Sequence, residues 1–153
     1  MSKIVRNLVL ATFGLAILGQ AGSVLAQSEE NAIKYRQATM KALGGHMSAA
    51  AAIVGGKAGS ATHLPAHIAA ISDISLMVKD LFPEGSDFGE TTALPKIWSD
   101  AAGFSKEVKV FEMAVADFAK TAKSGDMAVI GTALGGVGKA CKSCHETFRE
   151  KKK

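Results

Sequence analysis

The sequence predicts an all-α protein, an antiparallel four-helix bundle. Three observations carry this expectation. Apolar residues recur at alternating steps of three and four in four separate stretches. Runs of period two, the strand signal, are absent from the sequence. Short segments rich in Gly, Pro, Ser and Asp separate the stretches, so neighbouring helices should run antiparallel. The chain has 153 residues, 48% apolar and 21% charged, which is the composition of one globular domain and not of a disordered chain. No segment repeats another and loops interrupt the heptads, which argues against a helical repeat or a coiled-coil dimer.

The first stretch is read as lying outside the fold. Lys3 and Arg6 precede the apolar run Leu8 to Leu18, which only Thr12 and Gly14 break. Val24-Leu25-Ala26 then offers a small-residue cleavage pattern. Residues 1–26 therefore read as a signal peptide cut after Ala26. The run falls short of the roughly 20 residues a membrane span needs, and no later run approaches that length. Residues 27–153 are expected in the periplasm, without membrane insertion, where covalent cofactors persist.

Ser28, with Glu29 and Glu30 after it, reads as the start of the first helix. Ile33, Met40, Met47 and Val54 recur every seven residues, with Leu43 and Ala50 between, and Gly55-Gly56 ends the element. Gly44-Gly45 in its middle implies close approach of a neighbour or a bend. Thr62 is the expected cap of the second helix, with Pro65 in its first turn and a stripe of Leu64, Ile68, Ile71, Ser75, Val78 and Phe82. Residues 83 to 95 read as a loop. The third helix is expected from Ile97 without a break through Ala101, Phe104, Val108, Phe111, Val115 and Phe118 to Ala122, with Ser124-Gly125 stopping it. Asp126 caps the fourth, whose stripe is Met127, Ile130, Leu134, Val137, Cys141, Cys144 and Phe148.

Charge excludes some partners. Basic residues number 18 against 14 acidic, a dispersed excess of +4, which does not argue for nucleic acid. Two cysteines cannot support a disulfide-rich scaffold or a four-cysteine zinc site.

Both cysteines fall in Cys141-Lys142-Ser143-Cys144-His145, the attachment pattern for one haem c. Two thiols must each add to one vinyl group of the same porphyrin. Three positions apart on a helix, they share a face at about 5–6 Å. His145, four positions from Cys141, can lie on that face and reach the iron, so it is the candidate metal ligand. A thioredoxin-like disulfide would need an α/β setting, and half a zinc site would need a second pair.

The pattern lies on the last helix of a four-helix bundle, close to the C-terminus. In this the chain resembles the cytochrome c′ family. The resemblance spans the whole chain after residue 26. It includes Lys34-Tyr35-Arg36-Gln37-Ala38-Thr39-Met40-Lys41, Pro95-Lys96-Ile97-Trp98-Ser99-Asp100, and the segment from Val137 through His145 to Arg149.

The resemblance implies further cofactor contacts. It places Met40 over the distal face of the iron, where the family usually has an apolar shield. Methionine leaves two roles open, a lid over five-coordinate iron or a thioether ligand. Low-spin relatives carry their methionine one helical turn earlier, where this chain has Arg36. Arg36 sits on an apolar stripe and needs a partner; the resemblance implies a haem propionate, and solvent is the alternative. Gln37 would assist by hydrogen bonding. Thr92 maps to a loop position at the haem edge. Arg149 borders the proximal pocket or serves as a helix-end cation. Phe82 lies near the propionates or in the core, and Trp98 anchors the third helix. His63 and His67 have the spacing of a helical metal site, which Pro65 weakens, and His46 is expected to be partly exposed.

The leading function is that of a haem protein binding nitric oxide and carbon monoxide through five-coordinate, high-spin iron, with electron transfer or nitric oxide detoxification as its role. The alternative is a six-coordinate His/Met electron carrier. A peroxidase would need a distal acid-base group, which the Met40 stripe does not supply, so no catalytic residue is assigned. The resemblance also implies a homodimer packed through the first two helices, and the C-terminal lysines would steer an acidic redox partner.

Overall fold

The computed structural model describes residues 20–151, with side chains from Ser28 onward. Most of the expected signal peptide, residues 1–19, lies outside the described residues.

Five α-helices follow in order: α1 (Gln20–Val54), α2 (Leu64–Met77), α3 (Lys96–Ser99), α4 (Ala101–Thr121) and α5 (Met127–Phe148). The long helices α1, α2, α4 and α5 form the four-helix bundle, and α4 packs along α5 and α2 while α1 packs along α2 and α5. Among the described residues there is one isolated backbone bridge, Ala93 with Arg149, and no extended strand. No helix among them is long and apolar enough to cross a membrane.

The stripes read from the sequence form the core. Leu64, Ile68, Ile71, Ser75 and Val78 are buried along α2 and the 3₁₀ turn after it. Phe104, Val108, Phe111, Val115 and Phe118 are buried on α4, and Ile130, Leu134, Val137 and Phe148 on α5. Burying each such side chain contributes about 1.5–3 kcal/mol, which is why the 3-4 spacing dictates which helix faces meet.

Four local expectations are corrected. First, α1 does not begin at Ser28. It runs from Gln20, because Ala, Ser, Val, Leu and Gln continue a helix and no Pro stops it. Second, the cap before α2 is Ser60, whose hydroxyl accepts from the Thr62 amide and opens a 3₁₀ turn over Ala61–His63. Third, the third helix is interrupted. Asp100 leaves helical geometry at φ −123°, ψ 55°, and its carboxylate caps α4 by accepting from the Gly103 amide at 3.0 Å. An aspartate able to cap competes with helix continuation, so the stripe persists in register while the backbone breaks. Fourth, a Cβ at Gly44 or Gly45 would meet nothing within 4 Å, so no other helix among the described residues of this chain packs closely on these glycines.

Other signals hold. Gly125 takes φ +73° after α4, a left-handed C-terminal position that glycine adopts without strain. Asp126 caps α5, its carboxylate accepting from the Ala128 and Val129 amides.

Candidate haem-attachment site

Cys141, Cys144 and His145 sit on the last two turns of α5. All three are half-buried, and both cysteines pack against the core. The face is set by Val137, Ala140 and Phe148, which are buried on either side and hold α5 in rotation. Cys141 and Cys144 are not joined in a disulfide.

Burial keeps these groups in their neutral forms. It pushes the Cys141 thiol up from its ordinary value. It pushes Cys144 up to about 11, aided by the charges of Glu107 and Cys141. It pulls His145 down, aided by the neighbouring Arg149 cation. A neutral imidazole keeps a lone pair for a metal. Glu107 on α4 adds one buried carboxylate oxygen with no hydrogen-bond partner. Two thiols one turn apart at the edge of an apolar core, a neutral imidazole in the next position and an unsatisfied buried oxygen beside them fit haem c.

Met40 on α1 is half-buried and borders the same core as Cys141 and Cys144. An open hollow of about 500 Å³ is lined by Lys142, His145, Glu146, Arg149, Glu150 and Lys151.

The loop between α2 and α3 ties these parts together. Arg36 is only 3% exposed, so it does not snorkel to solvent. Its Nη1 donates to the Leu81 carbonyl at 3.3 Å and the Ser86 hydroxyl at 2.7 Å. Its Nη2 donates to the Ser86 carbonyl at 2.8 Å and the Thr91 hydroxyl at 2.9 Å. Its guanidinium carbon lies 4.9 Å from the centre of the Phe82 ring, a cation–π contact. The partner that a buried arginine requires is thus supplied by the loop. Gln37 Nε2 donates to the Glu90 carbonyl at 2.6 Å. Both residues expected at the propionates hold the same loop.

The loop's far end reaches α5. The Leu94 amide donates to the Phe148 carbonyl at 3.0 Å, and the Glu150 amide to the Thr92 carbonyl at 2.8 Å. Thr92 and Arg149 are both exposed there, on adjoining segments just beyond His145. Phe82 stacks edge-to-face on Trp98 and Phe104, and the Trp98 indole donates to the Pro83 carbonyl, so both anchor the loop on the core.

Sequence reasoning missed three participants. Ser86 and Thr91 sit in a loop with no periodicity to single out a hydroxyl. Glu107 did carry a signal: it stands three residues after Phe104 and four before Phe111, on the flank of the buried stripe. His63 and His67 do not pair. His67 meets His46 of α1, Nδ1 to Nδ1 at 3.0 Å.

Comparison with known proteins identifies the family. The family model described as Cytochrome C′ matches residues 31–149. Cytochrome c′ of Rubrivivax gelatinosus is 39% identical over 127 residues, covering 82% of this chain and 98% of its own. Among solved structures, a nitric oxide complex of a cytochrome c′ variant from Alcaligenes xylosoxidans superposes with a TM-score of 0.74 at 31% identity, over 80% of this chain and 97% of the other. A carbon monoxide-bound variant of that cytochrome superposes with the same score, identity and coverage. The chain belongs to the cytochrome c′ family, whose members bind haem c.

Proposed function

We propose that this chain is an exported, periplasmic mono-haem c protein that binds nitric oxide and carbon monoxide. In this reading Cys141 and Cys144 form the two thioethers and His145 is the iron's protein ligand. Haem c, when bound, would supply an iron able to exchange one electron and to take up a diatomic ligand. The observation that carries the reading is the placement of Cys141, Cys144 and His145 on the last two turns of α5, with both cysteines packed on the core that Met40 borders from α1. The gas complexes of the structural neighbours support it.

The chain's own residues divide the work. α5 fixes both thiols and the imidazole on one rigid element, so none of them has to be ordered by the cofactor. Met40 covers the opposite side with an apolar, polarisable side chain that excludes water and donates no hydrogen bond. That favours nitric oxide and carbon monoxide over dioxygen, which gains most from a distal donor. Arg36 and Gln37 place the loop whose edge faces the propionates, with Thr92 at the haem edge. Arg149, beside the hollow around His145, borders the proximal side. Cleavage after Ala26 removes the first turns of α1, and the molecule pairs as a homodimer through α1 and α2.

Visible spectroscopy of the purified holoprotein tests the proposal. Reduced protein whose spectrum shifts at once with nitric oxide supports it, and reduced protein indifferent to nitric oxide contradicts it. A second reading, electron transfer by six-coordinate iron, rests on Met40 having a thioether at the position a ligand would occupy. A methionine-to-iron band at the red end of the ferric spectrum would establish it.

A further inference from the structure

We propose that His46 and His67 form a two-histidine site for a divalent transition-metal ion, copper(II) above the others, clamping α1 to α2. The site is separate from Cys141, Cys144 and His145.

The two Nδ1 atoms are 3.0 Å apart, with ring centroids at 5.2 Å and ring planes tilted by 57°. Both side chains are half-buried, so a small ion reaches them from solvent while their backbones are held from below. On α1, His46 stands between the buried Leu43 and Ala50, one turn to either side. On α2, His67 stands between the buried Leu64 and Ile71 in the same way. The core therefore sets the separation of the two helices, and a metal has only two side chains to orient.

The 3.0 Å separation is that of a hydrogen bond between the two rings, and modest rotation of the half-buried side chains turns both Nδ1 atoms toward one ion. Copper(II) leads the affinity order of the divalent first-row ions on imidazole. Water fills the remaining positions.

Protons balance without a net release. As a hydrogen-bonded pair, one imidazole carries its proton on Nδ1 and the other accepts there. On metal binding that proton moves through solvent to the same ring's Nε2, so both rings stay neutral and both Nδ1 lone pairs face the ion. His63, exposed and four residues before His67, is not a ligand in this site.

The test uses the holoprotein, in which both thiols are consumed as thioethers and do not compete for copper. It is titrated with copper(II) at neutral pH in a weakly coordinating buffer, and the bound ion is read by calorimetry and copper electron paramagnetic resonance. One ion per chain with hyperfine coupling to two nitrogens is expected, together with a raised thermal midpoint, since the ion binds the folded pair. His46→Gln and His67→Gln should each weaken binding by about tenfold or more, because each removes the chelate. His63→Gln should leave it within about twofold. An unchanged haem spectrum in each variant shows that it is folded. Equal copper affinity in the H46Q/H67Q double variant would overturn the proposal, as would a larger loss in H63Q than in H46Q, or a preference for zinc over copper.

Discussion

Arg36 and Thr91 are joined across the molecule: the guanidinium on α1 donates to the loop hydroxyl at 2.9 Å. The same hydroxyl accepts from the Ala93 amide at 3.1 Å, and Ala93 bridges to Arg149 at the end of α5. A continuous path of bonds thus runs from the helix carrying Met40 to the helix carrying His145. Arg36→Ala removes four hydrogen bonds and a cation–π contact and strands acceptors around Ser86, which is fully buried. The expected loss is about 2–4 kcal/mol, read from the urea midpoint. Amide exchange should accelerate across residues 86–94 before it does in α4. A midpoint within experimental scatter of the parent would contradict this role.

The two aspartate caps should behave independently. Asp100→Ala and Asp126→Ala each remove a side-chain acceptor from helix amides and should each cost about 1 kcal/mol. They cap different helices and share no hydrogen-bond partner, so the double variant should show the sum within about 0.5 kcal/mol.

Thiol chemistry of the haem-free chain should be suppressed at mildly alkaline pH. Burial holds Cys144 protonated up to about 11, against 9.0 for an unperturbed thiol. Below both values its thiolate fraction is smaller, partly offset by the greater nucleophilicity of a more basic thiolate, so alkylation by iodoacetamide at pH 8 should be slower by about tenfold or more than in the unfolded chain. The sign is fixed: burial disfavours the charged form, so the rate climbs as pH rises toward 11 and falls as pH drops. Equal rates in folded and unfolded protein at pH 8 would contradict the buried, core-facing placement of the thiol.

Met40 separates lid from ligand. With Met40 as a lid, Met40→Leu leaves the ferric and reduced spectra unchanged, because leucine covers a similar area. Met40→Ala then opens the distal face and speeds carbon monoxide binding by about tenfold or more, a barrier change of about 1.4 kcal/mol. A change of spin state in Met40→Leu would instead assign the thioether to the iron.

The bundle was legible because burial has a period. Ile71, Phe118, Ile130 and Val137 were all assigned to the core from spacing alone, and all are buried. The break at Asp100 was hidden because the stripe passes through it in register, and a cap is decided by one side-chain hydrogen bond that spacing does not report. The Cys141–His145 segment was legible as chemistry, since few functions need two thiols and an imidazole at those intervals. The surroundings of Arg36 were not. A buried arginine announces that it has partners, but Ser86 and Thr91 lie 50 and 55 residues away in a loop whose path only the folded chain defines. The same holds for His46 and His67, 21 residues apart and brought together by the packing of α1 on α2.

The most direct measurement is the visible spectrum of the purified holoprotein, ferric, then reduced with dithionite, then exposed to nitric oxide. The account predicts a broad reduced Soret band without sharp visible bands, and an immediate change when nitric oxide is added. Sharp reduced bands that ignore nitric oxide would mean two strong axial ligands, and would contradict the assignment of Met40 as a lid over an open iron.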